Sequence, residues 1–212
     1  MKKLSKSGVE FSKRVVVVNC AVPLAMLAWD TYRGALGANP LEFITHVTGM
    51  LALVFITLSL AVTPLRRVTG MQWLAVHRRT FGLFGFGYGV LHLFAYVWFD
   101  KNFGFAAIVD DVWKRPFIAV GMTTIALMIP LAITSTNAMI KRVGGRRWRM
   151  LHRLAYAIGV GGVVHYYMLV KADTRLPIAF GVTVGALLLF RFADAYVVPR
   201  LATQPPPRVT PE

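Results

Sequence analysis

The sequence predicts an all-α integral membrane protein, a bundle of six transmembrane helices. Three observations carry that expectation. Hydrophobic residues make up 56% of the 212-residue chain, and the mean hydropathy is +0.57. The apolar residues come in long blocks and do not alternate with polar ones as in a water-soluble domain. The basic residues gather between alternate blocks. Six blocks can be read: Val15–Trp29, Val47–Thr63, Phe81–Phe99, Phe117–Thr134, Leu154–Val170 and Ile178–Val198. A helix crossing the hydrocarbon core needs about 20 mostly apolar residues, with about 17 as the lower limit. Five blocks reach or approach that length, and the first does so once Asn19 and its flanks are included.

The first block follows Lys2, Lys3, Lys6, Lys13 and Arg14, the arrangement of a secretory leader. No small-x-small cleavage site follows Trp29, and Cys20 is preceded by Asn19, so a retained anchor is expected. The remaining spans are joined by connections at Arg33–His46, Pro64–Thr80, Asp100–Pro116, Ser135–Gly145 and Lys171–Pro177. This divides the chain into a cytoplasmic segment 1–14, one transmembrane domain 15–200 and a tail 201–212. With Pro205, Pro206, Pro207 and Pro211, the tail is expected to be disordered. It is also too short for a nucleotide-binding domain, so any soluble redox domain is expected on another protein. No internal repeat suggests a transporter with inverted halves.

Charge sets the orientation. The segments 1–14, 64–79, 135–153 and 191–212 hold 18 of the 24 Lys and Arg residues. The other side has six (Arg33, Lys101, Lys114, Arg115, Lys171 and Arg175) against six acids. Positive residues collect on the cytoplasmic side of a bacterial inner membrane, so both termini are expected there. The net charge of +15 then belongs to span anchors facing anionic headgroups and gives no sign of nucleic acid. A single cysteine excludes internal disulfides and cysteine-ligated clusters. The glycine-rich stretches 82–89 and 159–162 fail the G-x-G-x-x-G register and lie inside spans.

Histidines carry the functional signal. His92, in GYGVLHLFAYVWF, and His165, in GGVVHYYMLV, lie in the outer halves of the third and fifth spans. Those spans run in the same direction, so the two imidazoles share a depth and can ligate one heme iron from opposite faces. Gly89 and Gly162 each precede a histidine by three residues, on its helical face. There they leave a slot suited to a flat macrocycle, although close helix packing explains such glycines equally well. His152 lies about 20 Å along the axis from His165 and roughly 140° out of phase; it marks a second redox centre or an interfacial histidine. His77, in VHRRTFG, is either its partner or one more interfacial base beside Arg78 and Arg79. His46 reaches toward the outer site or starts a helix at the surface.

Other chemistry finds little support. There is no H-E-x-x-H pair, no mid-span carboxylate for a proton-coupled carrier, and no mid-span lysine for a serine–lysine protease. Asp194, near the inner end of the last span, is expected to pair with Arg191. Arg78, Arg79, Arg146, Arg147 and Arg153 form a cationic rim suited to propionates, a flavin phosphate or a quinone oxygen. Ordinary topology anchoring accounts for most of that rim. A carrier or channel with structural histidines, and a stand-alone ferric or oxygen reductase, remain as alternatives.

The stretches GANPLEFITHVTG (37–49), TPLRR (63–67), RRTFGL (78–83), LHLFAY (91–96), ITSTNAM (133–139) and GRRWRMLHRLAY (145–156) carry a resemblance. Together they resemble the ferric-reductase-like transmembrane domain. Within it they are similar to the heme-binding membrane subunits of periplasmic protein-methionine-sulfoxide reductases. The resemblance implies heme b, with FMN as a further candidate cofactor, in a subunit passing electrons outward. The acceptor implied is a periplasmic molybdopterin catalytic subunit that repairs oxidised proteins. The implied donor is the quinol pool or a cytoplasmic flavin reductase. The heme-associated positions of the family fall on His92, His152 and His165 as metal ligands. Cofactor contacts from His77, Arg78 and Arg153 complete the expected site.

Overall fold

A computed structural model describes residues 4–197, with side chains through Ala195. The expected tail 201–212 lies outside the described residues. The helices are α1 (Lys6–Tyr32), α2 (Pro40–Thr69), α3 (His77–Ala95), α4 (Phe105–Lys114), α5 (Pro116–Ile133), α6 (Asn137–Val143), α7 (Gly145–Leu151), α8 (Leu154–Leu169) and α9 (Arg175–Phe192). A 3₁₀ turn, Gln72–Val76, leads into α3, and π turns extend α3 to Asp100 and α9 to Val197. Among the described residues five helices are long and apolar enough to cross a membrane: α1, α2, α3 with its flanking turns, α5 and α9. The sixth expected span is α8, with 16 residues and a length of about 24 Å.

Local sequence sets the helix ends. Ser5 caps α1 by accepting from the Gly8 amide. Asn39 accepts from the Glu42 amide, with Pro40 in the first turn of α2. Gly70 ends α2 in the left-handed region at φ 70°, which glycine enters without steric cost. Pro116 opens α5, where its missing N–H is no loss. Thr136 caps α6 through the Met139 amide.

The connections at 100–116 and 135–145 each contain a short helix, α4 and α6. One expectation is corrected. The helix expected to run through His152 breaks at residues 152–153, between α7 and α8. The phase argument along one continuous helix therefore does not apply to His152.

Two hairpins, α2 with α3 and α5 with α8, make the centre. Small residues let their backbones approach, as in other membrane bundles. A Cβ on Gly85 would sit 3.1 Å from Ile56 Cγ1, and one on Gly159 would sit 2.8 Å from Leu60 Cδ1. Ile56, Leu60, Met128, Ile158 and Val184 form the core shared by α2, α5, α8 and α9. Helix α1 packs on the outside against α3, where Tyr88 donates to the Cys20 carbonyl at 3.0 Å.

Arg191 reaches inward from α9, donating to the Leu60 carbonyl at 2.7 Å and to the Tyr156 hydroxyl at 3.1 Å. It does not pair with Asp194 as the sequence suggested. Asp194 is held instead by Arg67 at 3.0 Å. The long Arg191 side chain satisfies a carbonyl deep in the bundle, where no water substitutes.

Candidate functional site

The two hairpins repeat one device. His92 on α3 places Nδ1 2.9 Å from the Thr45 carbonyl of α2. His165 on α8 places Nδ1 2.7 Å from the Phe117 carbonyl of α5. A carbonyl only accepts, so both Nδ1 atoms carry a proton, the tautomer that puts the lone pair of an uncharged imidazole on Nε2. Among the described residues neither Nε2 has a hydrogen-bond partner. The ring centroids lie 6.1 Å apart with planes at 85°. Two imidazoles sharing one metal at about 2 Å per bond place their centres roughly 6 Å apart.

Glycine makes each approach possible. In a helix the residue four positions on lies over the carbonyl of its predecessor. Gly49 follows Thr45 by four, and Gly121 follows Phe117 by four. A Cβ on Gly49 would stand 2.8 Å from His92 Nδ1, and one on Gly121 would stand 2.8 Å from His165 Nδ1. Sequence reasoning singled out Gly89 and Gly162 and missed these two. The signal lay in their spacing from the helix that receives the bond, which only the pairing of helices reveals.

Both rings line a cavity of about 700 Å³, opening at the end of the bundle opposite the arginine-rich end. Binding cavities run to roughly 300–1,000 Å³. Gly49, Gly89, Gly121 and Gly162 all face it. A Cβ on Gly89 would touch Met128 Sδ only at 3.9 Å, whereas one on Gly162 would press Leu53 Cδ1 at 3.1 Å. Gly89 thus leaves space beside the ring, while Gly162 also serves helix packing. Among the described residues no three His, Cys, Asp or Glu side chains converge as a metal cage. Two imidazoles lining one apolar chamber, their centroids 6.1 Å apart, suit a metal whose other positions a flat macrocycle fills. His46 joins the rim, edge-on to Tyr166.

The other expected site residues divide. His152 does not share the chamber of His92 and His165. It lines a second cavity of about 300 Å³ toward the arginine-rich end, together with Arg78 and Arg79. Its ring stacks on Trp148 at 3.9 Å, and Nε2 lies 3.2 Å from the Thr134 hydroxyl. No second histidine lines that cavity, so the pairing of His77 with His152 is corrected. His77 is 3% exposed and bonds Ser12 of α1 through Nε2 at 3.0 Å. It is wedged between Trp73 and Phe81 and lines neither cavity. Arg153 is exposed and also lines neither.

An ion-pair network braces the mouth of the larger cavity. Buried Asp111 of α4 takes Lys101 Nζ at 2.6 Å and the Tyr96 hydroxyl at 3.0 Å, with Arg115 at 3.6 Å. Tyr96 and Arg115 also line the cavity, so the network ties α4 to the turn that ends α3. The Lys101 hydrogen bond holds the Asp111 carboxyl below the ordinary range, and the same bond raises Lys101. A depressed carboxylate stabilises above its unfolded pKa, and a raised lysine stabilises below its own. The contribution therefore spans about pH 4 to 10 and fades at both ends. Asp111→Asn should lower the melting temperature of the detergent-solubilised protein at pH 7. It should also flatten the fall below pH 4. Thermal scans across pH check both, and an unchanged acid limb would contradict the assignment.

A membrane bundle that turns two imidazoles on one another defines the class: a transmembrane component of the ferric-reductase type. The family model described as ferric reductase like transmembrane component matches residues 48–163, ending two residues before His165. The chain is 48% identical over 181 residues to the "protein-methionine-sulfoxide reductase heme-binding subunit MsrQ" of Herminiimonas arsenicoxydans. That match covers 84% of this chain and 83% of the relative. It is also 48% identical over 177 residues to the MsrQ of Caulobacter vibrioides, covering 84% of each. The MsrQ of Ralstonia nicotianae is 56% identical over 131 residues, 62% of this chain and 60% of the relative. No solved structure matches. The chain belongs to the MsrQ family of ferric-reductase-like membrane subunits.

Proposed function

We propose that this chain is a heme b-holding membrane subunit that carries electrons outward to a periplasmic molybdopterin methionine-sulfoxide reductase. The observation that carries this reading is the His92–His165 pair, 6.1 Å apart, with both Nδ1 protons tied to backbone carbonyls. Heme, when bound, supplies reversible one-electron carriage. The residues supply the rest. The carbonyls of Thr45 and Phe117 fix the ring planes and aim Nε2, the usual role of an outer-shell bond to a ligating histidine. Leu53, Ile118 and Ile125 wall the chamber and exclude water. Arg115 and His46 at the mouth suit the propionates.

The arginine-rich end is cytoplasmic in this reading, and the membrane is the bacterial inner membrane. The donor is then the quinol pool or a cytoplasmic flavin reductase, and FMN is the candidate second cofactor. His152 belongs to the donor side, because its cavity and the larger one share the walls Ile56 and Met128.

Cells lacking only this chain should lose periplasmic methionine-sulfoxide reduction. The separate catalytic subunit should stay active when fed electrons from a reduced dye. Periplasmic repair that persists at the wild-type rate in such cells would overturn the reading.

A further inference from the structure

Helix α4 has three faces, and the fold accounts for two of them. Asp111 is buried against Lys101 and the Tyr96 hydroxyl, with Ile108 and Val112 half-buried beside it. Asp110 and Lys114 pair with each other at 2.7 Å on an open edge, where solvated charges belong. The third face repeats every four residues. Phe105, Val109 and Trp113 all stand out from the protein, Phe105 78% and Trp113 85% exposed. At about 100° per residue, this stripe lies between the protein-facing side and the ion-paired edge. It carries no charge for a soluble partner to match.

The chain on either side says what covers the stripe. Helix α4 fills the connection between Asp100, where the turn after α3 ends, and Pro116, where α5 begins. Its ten residues are thus tied at both ends to points where spans leave the membrane. Leu83, Val90, Phe94 and Trp98 are exposed along one side of α3, at spacings that share a helical face. That helix is long and apolar enough to cross a membrane, so the stripe faces lipid. Asn102 and Phe103 then take positive φ, 45° and 57°, a region that bulky side chains seldom enter. The turn brings the Phe103 ring back to the end of the stripe, 5.8 Å from Trp98 and 6.4 Å from Phe94 between centroids. Aromatic rings gather in this way where a span meets the water interface. Phe105 follows two residues later, at the start of the exposed face of α4.

We propose that α4 lies in the membrane interface at the end of the bundle opposite the arginine-rich one. Phe105, Val109 and Trp113 sink among the acyl chains, and Asp110 and Lys114 turn to water. A helix with adjoining apolar and polar edges settles at that level. The partner is therefore the lipid of the leaflet in which α3 ends and α5 begins. Seated there, α4 presents Asp111 to Lys101 and Tyr96 from a fixed footing, so lipid supports the brace at the mouth of the larger cavity. The placement stands on the fold and is independent of what fills that cavity.

Spin labels on the full chain test it, in vesicles of phosphatidylethanolamine and phosphatidylglycerol. Cys20→Ser removes the one native cysteine, and single cysteines are then placed by Val109→Cys, Trp113→Cys, Asp110→Cys or Lys114→Cys. Oxygen concentrates in lipid and a nickel chelate stays in water. Labels at 109 and 113 should favour oxygen several-fold more than labels at 110 and 114. They should also lie about 5–10 Å into the headgroup–acyl boundary. Each pair of positions reads one face twice, so a single misfolded variant leaves the test intact. Equal chelate access at both pairs would overturn the proposal, since the apolar face would then be open to a soluble partner. Spin–spin broadening at 113 that vanishes on dilution with unlabelled protein would overturn it too, by showing that a second copy covers the face.

Discussion

Purified His92→Ala protein should lose its Soret band, and so should His165→Ala. Each ring is one imidazole of the pair lining the chamber, and its removal would leave a metal there with a single protein ligand. Loss of an outer-shell partner alone typically costs 10–100-fold in metal affinity, so loss of the ligand itself should exceed about 100-fold. The fold should survive. Both rings border a cavity, and their truncation leaves the α2–α3 contact at Gly85 and the α2–α8 contact at Gly159 in place. Elution volume and helical circular dichroism therefore serve as controls. His152→Ala is the informative contrast. Its ring faces the smaller cavity, so heme content should stay at the wild-type level while reduction by the proposed donor slows. Full heme in either His92→Ala or His165→Ala would remove the pair from the site. A wild-type protein with no colour would favour a carrier or channel with structural histidines.

What could be read in advance followed from periodicity and charge. Long apolar blocks define spans because backbone groups in lipid must be satisfied within a helix, and so the bundle was legible. His92 and His165 stood out as a pair, since an ionisable group inside a span is costly and two at one depth are harder to explain by helix-to-helix hydrogen bonds than one. Their common depth followed from counting helices. The acceptors were invisible. Thr45 and Phe117 bind through backbone carbonyls, which every residue has, so no side chain marks them. His77 misled for a related reason. Its neighbours in sequence, Arg78 and Arg79, face the smaller cavity, but one residue along a helix is a rotation of about 100°. That rotation sends His77 toward Ser12 on α1. A partner 65 residues distant leaves no local trace. Arg191 and Asp194, three apart on a helix, looked like a pair by spacing. The deeper demand of the Leu60 carbonyl for a donor took the arginine away.

Gly49→Val and Gly121→Val should each lower heme content 10- to 100-fold, although neither glycine touches the metal. Even a methyl at these positions would sit 2.8 Å from the Nδ1 that donates to the carbonyl one turn back. The imidazole must withdraw, and its N–H loses the acceptor that aims Nε2. Overpacking of this kind costs about 1–3 kcal/mol in strain. The orphaned N–H adds a further roughly 1–3 kcal/mol. Gly49→Ala is the graded case. Where heme survives, the weakened Nδ1–H···O bond makes the imidazole a poorer donor to iron, so the midpoint potential should shift upward. Gly89→Ala is the control, because its added methyl would meet Met128 only at ordinary contact distance, 3.9 Å. It should keep its heme and its potential. If the Gly49 and Gly89 variants behaved alike, the glycines would matter only as small residues at a helix crossing. If only the Gly49 and Gly121 variants fail, the neighbouring helices act on the metal through the histidines they orient.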